Sequence, residues 1–311
     1  MDQLDEHPAL AELRSLIARH AEGRYRRTRL PGLMIMASPA PTEPLSAVSQ
    51  PSFAIVAQGV KRTILSDRVF DYGPGQYAVI SLDLPVTGHV LRAGPGQPFL
   101  GMGLTLNPAS IAALLLGPGA GTGTATTTGA ADSTAGIAVS DAGGDLLESS
   151  VRLLRLLDRP EDIPVLAASI EREILWRLIT GDQGATIRQI GLADSRLSQI
   201  ARAIRHIRSG YAQPLRIEDL ARVASMSVTS FHRHFRAVTA MSPLQFLKQI
   251  RLQEARTRLV IDASDVAAVG RSVGYDSPSQ FSREYRRLFG APPRQDATRL
   301  QSLPARDPSM V

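Results

Sequence analysis

No cysteine occurs anywhere in the 311 residues. That absence removes disulfides, thiolate zinc sites, cysteine nucleophiles and thiol-based sensing of oxidants or electrophiles together. No apolar run approaches the roughly 18 residues that a membrane span requires. The opening MDQLDEHPALAELRS also lacks the charged-then-apolar order of a signal peptide. The chain therefore reads as cytoplasmic, with no membrane partner. Of six histidines only His89 lies in the β-rich region described below; His7 and His20 precede it, and His206, His232 and His234 lie near the C-terminus. A mononuclear iron or manganese site needs several such ligands and a carboxylate. No metal and no cofactor is expected, and His89 reads as a hydrogen-bonded structural residue. The patterns Gly-x-x-x-x-Gly-Lys-Ser/Thr, Gly-x-Ser-x-Gly and His-Glu-x-x-His are missing too. A phosphate-cradling loop, a nucleophile elbow and a zincin helix are excluded with them. No catalytic residue is assigned, and the chain reads as a non-enzyme.

What is present is a charge split. Residues 1–180 hold 15 Lys+Arg against 18 Asp+Glu, whereas residues 181–311 hold 20 against 11, a net +9 in a chain of net +6. A basic excess on one part of a chain favours a polyanion through counterion release, without choosing a sequence. Length supports two units, since a typical domain takes roughly 100 to 200 residues.

In chain order, Leu4, Leu10, Leu13, Leu16 and Ile17 fall at helical spacing and predict a leading amphipathic helix in an N-terminal arm, residues 1–24. Arg24, Arg26, Arg27 and Arg29 follow, read as a solvated strand face with DNA contact as the alternative. From Leu33 to Leu106 seven short β-runs are punctuated by Gly and Pro, with Ser66-Asp67 as a hairpin turn, and predict a small barrel able to hold one ligand in its mouth. Residues 117–144 collapse into Gly, Ala and Thr and predict a disordered loop. Apolar stripes at Asp145–Leu157 and Asp162–Thr180 predict two helices whose leucines and isoleucines serve core packing or self-association. Residues 25–180 thus form one domain, and 181–196 read as a linker.

The stretch Leu220 to Phe235, LARVASMSVTSFHRHF, reads as two helices broken by a tight turn. Small Ala221 lets the helices cross closely, Ser227 caps the second, and Phe231 and Phe235 enter the core. Thr229, His232 and Arg233 then face a groove. Fifty residues on the unit recurs: Phe231, Arg233, Phe235 and Pro243 return as Phe281, Arg283, Tyr285 and Pro293. Gly274 makes the second turn, Ser277-Pro278 opens the next helix, and Ser279, Gln280 and Arg283 are offered outward. Gln280 either completes a capping box with Ser277 or reaches a base. Ser242-Pro243-Leu244-Gln245 starts a connector to Val260, on the order of 27 Å long, enough to set two reading helices into successive grooves roughly 34 Å apart.

Residues 197–297 resemble the DNA-binding domain of AraC/XylS-family transcription regulators. The resemblance is carried by Leu220-Ala221, Met226-Ser227, Phe231-His232-Arg233-His234-Phe235, the run Val273 to Tyr285, and Phe289-Gly290-Ala291-Pro292-Pro293. It implies base-contact positions at Thr229, His232 and Arg233 in the first unit and at Ser279, Gln280 and Arg283 in the second. One departure is Gly270, where the family usually has Ala, a change that loosens the helix. Pro51-Ser52-Phe53, Tyr72 to Tyr77 and Ser81 to Val86 likewise resemble the cupin-like sensor domain of one AraC-type branch.

The fold class implied is α+β: an N-terminal small cupin-like β-barrel with flanking helices, then an all-α domain of two helix-turn-helix units joined by a long helix, with a tail at 298–311. The partners implied are double-stranded operator DNA, RNA polymerase if the protein activates, a small-molecule effector at residues not yet assigned, and a second copy of the chain. A competing reading makes the barrel a protein-interaction module without an effector. A metal-cupin enzyme is the remaining rival, and the histidine shortage counts against it.

Overall fold

A computed structural model of the chain describes residues 7–21, 25–117 and 136–301. The leading helix α1 (Pro8–His20) buries Leu10, Leu13, Leu16 and Ile17, and the His7 imidazole accepts from the Ala9 amide at its start. Ten strands follow, eight of them between Leu33 and Leu106 where the sequence suggests seven: β1 (Tyr25–Arg27), β2 (Leu33–Ser38), β3 (Leu45–Ser49), β4 (Ser52–Gln58), β5 (Val60–Leu65), β6 (Arg68–Tyr72), β7 (Gln76–Ile80), β8 (Leu84–Arg92), β9 (Phe99–Thr105) and β10 (Ile137–Asp141). They form two antiparallel sheets, β1-β2-β9-β4-β7-β10 and β3-β8-β5-β6. The expected closure into one barrel is therefore not seen.

The break has a local cause at Gly59, between β4 in one sheet and β5 in the other. Its φ is +81°, and a Cβ there would lie 2.5 Å from the Arg92 carbonyl oxygen. The ladders shift register on both sides, between Val56 and Gln58 and between Val60 and Lys61. A bulge of this kind re-aims the chain and lets one continuous segment pass from sheet to sheet. The hairpin at Ser66-Asp67 is present, with Ser66 at φ 59°.

Of the segment expected as a disordered loop, residues 118–135 lie outside the described residues. Its last part is ordered: β10 pairs with β7 from Ile137↔Ile80 to Asp141↔Gln76. The helices expected at 145 to 180 are α3 (Gly144–Arg155) and α4 (Ile163–Thr180), after the short α2 (Pro108–Leu115). α3 packs on α1 and α4. Along the α4 stripe Ile174, Leu175 and Leu178 are buried and Ile163 and Ile170 are half-buried against the same core, whereas Leu166 is 43% exposed and its neighbour Val165 73% exposed. The expected linker carries a helix, α5 (Gly184–Gly191), which buries Ile187 and Ile190 and packs on α2.

The C-terminal half is α6 (Arg196–Gly210), α7 (Ile217–Val223), α8 (Val228–Thr239), α9 (Pro243–Ile261), α10 (Val266–Ser272), α11 (Pro278–Phe289) and α12 (Pro293–Gln301). One continuous apolar core runs from α1 through both sheets and α3 to α8 as far as Ile250 on α9. Leu252, Ala255 and Leu259, further along α9, belong to a separate core with Val273, Phe281, Tyr285 and Ala297. The connector thus joins the two bodies by giving each one stretch of its buried face. The connector also packs on the sensor side, where α9 meets β3 and β8, and in the preceding helix Val238 O of α8 accepts from the Gly136 amide at 3.0 Å.

Candidate nucleic-acid interface

In the first unit, α7 ends in a turn closed by Ser225 N to Arg222 O and Met226 N to Ala221 O, both 2.9 Å, with Ser225 in the left-handed region at φ 56°. Arg202 on α6 grips this turn from behind, donating to Val223 O, to the Ser225 hydroxyl and to Ala193 O. Ser227 then caps α8 by accepting from the Ser230 amide at 3.3 Å. Phe231 and Phe235 are fully buried, with ring centroids 5.3 Å apart, and Phe246 of α9 meets Phe235 edge-on. With the phenyl face inward, Thr229, His232 and Arg233 stand exposed on the opposite side.

The second unit is built the same way with one added residue. Tyr275 N to Gly270 O at 3.0 Å repeats Met226 N to Ala221 O, 49 residues later, whereas the caps Ser227 and Ser277 are 50 apart. Gly274 takes the left-handed turn position at φ 95°, where a Cβ would lie 2.7 Å from Ala212 O, so a side chain is excluded by both torsion and space. Gly270 does more than loosen its helix. A Cβ on it would lie 3.1 Å from the Phe281 ring, so its absence seats that ring. Phe281 and Tyr285 are buried, and Ser279 and Arg283 are exposed.

Of the two roles expected of Gln280, completing the capping box is not the one its side chain takes. Ser277 accepts from the Gln280 amide at 3.3 Å, but the Gln280 side chain runs forward to donate to Glu284 Oε1 at 3.2 Å instead of back to the cap. Among the described residues a capping box is complete only at Ser242 and Gln245. Glu284 also receives Lys248 Nζ at 2.8 Å and the Tyr275 hydroxyl at 2.9 Å. Burial works to raise its carboxyl, yet these three donors hold it below the usual range and keep it ionised.

Relative placement of the two units is set by α9, whose basic side chains reach neighbouring elements. Arg251 donates to Tyr211 O at 2.7 Å, Gln213 O at 3.1 Å and Gly274 O at 2.8 Å, tying the loop before α7 to the turn before α11. Arg258 reaches the Tyr211 hydroxyl at 2.7 Å and the Ser272 hydroxyl at 2.6 Å. Arg256 forms a two-pronged pair with buried Asp296. Sequence reasoning credited these cations to the polyanion-binding excess, whereas they brace the protein.

The exposed charge left on α8 and α11 is basic. α8 contains no acid, and the only acid of α11, Glu284, is turned inward and paired. Arg236, Arg286 and Arg287 extend the exposed basic faces beyond Arg233 and Arg283. Helical spacing places Arg236 beside Arg233 and both Arg286 and Arg287 beside Arg283, a signal the sequence already carried. Half-buried His234, in contact with Arg233 at 3.5 Å, has its imidazolium disfavoured by burial and by the charges of Arg196 and Arg233.

A cavity of about 480 Å³ opens between the two sheets. Met34, Met36 and Phe99 supply apolar walls. That size falls in the range of small-ligand sites. His89 does not line it. The residue sits opposite Arg62 beside the Arg62–Asp71 pair, its Nδ1 is buried without a hydrogen-bond partner, and burial and the Arg62 charge lower its pKa. The hydrogen-bonded role expected for it is not met at that atom. Among the described residues no group of three or more His, Asp or Glu could hold a metal ion, and no helix is long and apolar enough to cross a membrane.

Comparison with known proteins gives two family matches, an AraC-type transcriptional regulator N-terminus over residues 29–186 and a helix-turn-helix domain over residues 220–299. The HTH-type transcriptional regulator ArgR of Pseudomonas aeruginosa is 26% identical over 144 residues, 46% of this chain and 44% of its own. The RCS-specific HTH-type transcriptional activator RclR of Escherichia coli is 37% identical over 87 residues, 28% of this chain and 31% of its own. The chain thus matches less than half the length of these relatives. Among solved structures, an apo ToxT variant from Vibrio cholerae superposes with a TM-score of 0.57 at 7% identity, covering 88% of this chain and 99% of that one. ToxT bound to an unsaturated fatty acid gives 0.54 at 7% identity, with 88% and 97% covered. These likenesses show a shared two-part fold.

Proposed function

The chain belongs to the AraC-type transcriptional regulators, and from that premise we propose that it binds a specific operator in duplex DNA through α8 and α11 together, under control of a small effector in the intersheet cavity. The observation that supports this most is the pair of acid-free exposed helix faces held at fixed separation by α9. Thr229, His232 and Arg233 are the groove-facing set of the first unit, and Ser279 and Arg283 that of the second. Gln280 serves as a positioning residue through Glu284. α9 has 19 residues and spans about 28 Å, matching successive major-groove faces on one side of a duplex.

The protein acts in the cytoplasm, on promoter DNA, and touches RNA polymerase where it activates. The exposed Val165 and Leu166 on α4 suit a contact between two copies. Control by an effector draws support from the cavity and from the fold shared with ToxT, one structure of which holds an unsaturated fatty acid.

The test is a comparison of Arg233→Ala and Arg283→Ala on operator and random DNA. A good bidentate base contact contributes about 1–3 kcal/mol of discrimination. Each variant should lose that much on the operator and far less on random sequence. Equal losses on both would make the two arginines phosphate anchors only.

A further inference from the structure

The wall of the cavity formed by β5 and β6 differs from the rest. Side chains alternate along β5, so Lys61 shares the inward face of buried Thr63 and Leu65, whereas Arg62 points out and is held by Asp71 at 2.6 Å. Half-buried Lys61 lines the cavity, and none of the other lining residues is Asp, Glu, Arg or His. Among the described residues Lys61 has no acidic partner. The whole chain contains two lysines against 33 arginines, and the other, Lys248, is paired with Glu284. Directly across the ladder from Lys61 is Tyr72, which is 3% exposed. Its hydroxyl has only a long contact, 3.4 Å, to the Thr63 hydroxyl. Burial pushes the Tyr72 phenol up to about 12, so near neutral pH it keeps its proton and can donate it.

We propose that the cavity takes an amphipathic monocarboxylate, with Lys61 Nζ meeting the carboxylate, the Tyr72 hydroxyl donating to it, and the apolar body lying along Met34, Met36 and Phe99. The assignment rests on the reading of this cavity as the effector site and narrows it to a chemical class. One ammonium without a counter-charge in neutral surroundings fits one negative charge. A dianion would leave a buried charge unpaired, and a cation would meet repulsion with nothing to offset it. A neutral ligand would fill the apolar space but leave the ammonium without a partner. Lysine suits the task because its charge is compact and its stem flexible, so the head can follow carboxylates borne on bodies of different shape.

The test is isothermal titration of the full-length protein with octanoate and naphthoate, set against octanamide, naphthamide and octylamine. The carboxylates should bind, each matched amide at least about tenfold more weakly, and the amine with no detectable heat. Lys61→Met should bring each carboxylate down to the affinity of its amide while leaving the amide unchanged. Tyr72→Phe, which keeps the ring, should weaken the carboxylates several-fold and spare the amides. Amides that bind the native protein as tightly as carboxylates would overturn the anion assignment, a comparison that needs no variant. A carboxylate preference that survives Lys61→Met would overturn the role of Lys61. In either case a cavity that still binds apolar compounds leaves the effector reading standing. If none of the five compounds binds, both fall.

Discussion

Asp296 has no solvent exposure and takes two bonds from Arg256, at 2.7 and 3.1 Å, one from the Tyr285 hydroxyl at 2.9 Å and one from Arg299 at 2.9 Å. Burial alone would raise its carboxyl, but these donors outweigh burial and hold it below the usual carboxylate range. A carboxyl with a depressed folded pKa adds stability above its unfolded pKa of about 3.9, and that stability is lost as pH falls through the lower folded value. Asp296→Asn removes the charge from a buried pair and leaves Arg256 uncompensated, a loss on the order of 3–5 kcal/mol. Urea unfolding followed by the signal of the second unit should show that loss at neutral pH. The gap between variant and native protein should close as the solution is taken below about pH 4. At this scale the sequence was informative where one face decides the role. Phe231, Phe235, Phe281 and Tyr285 were readable as core from their fourfold spacing, and Thr229, His232, Arg233, Ser279 and Arg283 as exposed from the same period. Partner choice was not readable. Gln280 turns to Glu284 because Lys248 and Tyr275, 32 and 5 residues away in the chain, fix that carboxylate, and nothing local announces them.

The turns and the connector show what an element contributes beyond its residues. Ser225 and Gly274 occupy the same left-handed position in two copies of one turn, yet only the second is pressed against Ala212 O and Arg251. The contact arises because Arg251 crosses from α9 to fasten both units through three carbonyls. Hydrogen bonds from a charged donor contribute about 1.5–3 kcal/mol each before losses in rearrangement. Arg251→Met should therefore leave helix content unchanged by circular dichroism, leave affinity for a single half-site fragment unchanged, and weaken binding to the full operator more than about tenfold. Helix starts were the most legible elements, since Ser-Pro at 242–243 and 277–278 marks a cap followed by a first-turn proline, and both lie where expected. Short, weakly apolar elements escaped notice. β10 carries only Ile137 as a buried large side chain, and α5 has eight residues whose helicity depends on α2 beneath it. Strand closure was equally unreadable, because the pairing β2-β9-β4-β7 joins distant segments and the switch at Gly59 is one residue long.

Across the whole molecule the boundary suggested by composition is not the boundary of packing. The basic C-terminal half begins near residue 181, but its first helix-turn-helix unit shares a continuous core with the sensor domain, and only the second unit has a core of its own. Two ion pairs span the same junction, Arg208–Asp83 and Arg299–Glu43, both at 2.6 Å and partly exposed. Pairs of that kind contribute about 0–1 kcal/mol each, so apolar packing holds the halves together. Hydrogen exchange should accordingly find the amides of α6 to α8 protected to the same extent as those of the sheets. Those of α10 and α11 should form a separate, less protected group. Much of the two sheets shares this core with α8, whereas Met36, Val56, Tyr72 and Phe99 beside the cavity form a small cluster apart. The central claim is that α8 and α11 read one face of one duplex together, and a hydroxyl-radical footprint of the native protein on its operator tests it most directly. The account predicts two protected segments about one helical turn apart on the same face, with Arg233→Ala erasing one and Arg283→Ala the other. A single protected segment, unchanged by one of the two substitutions, would contradict it.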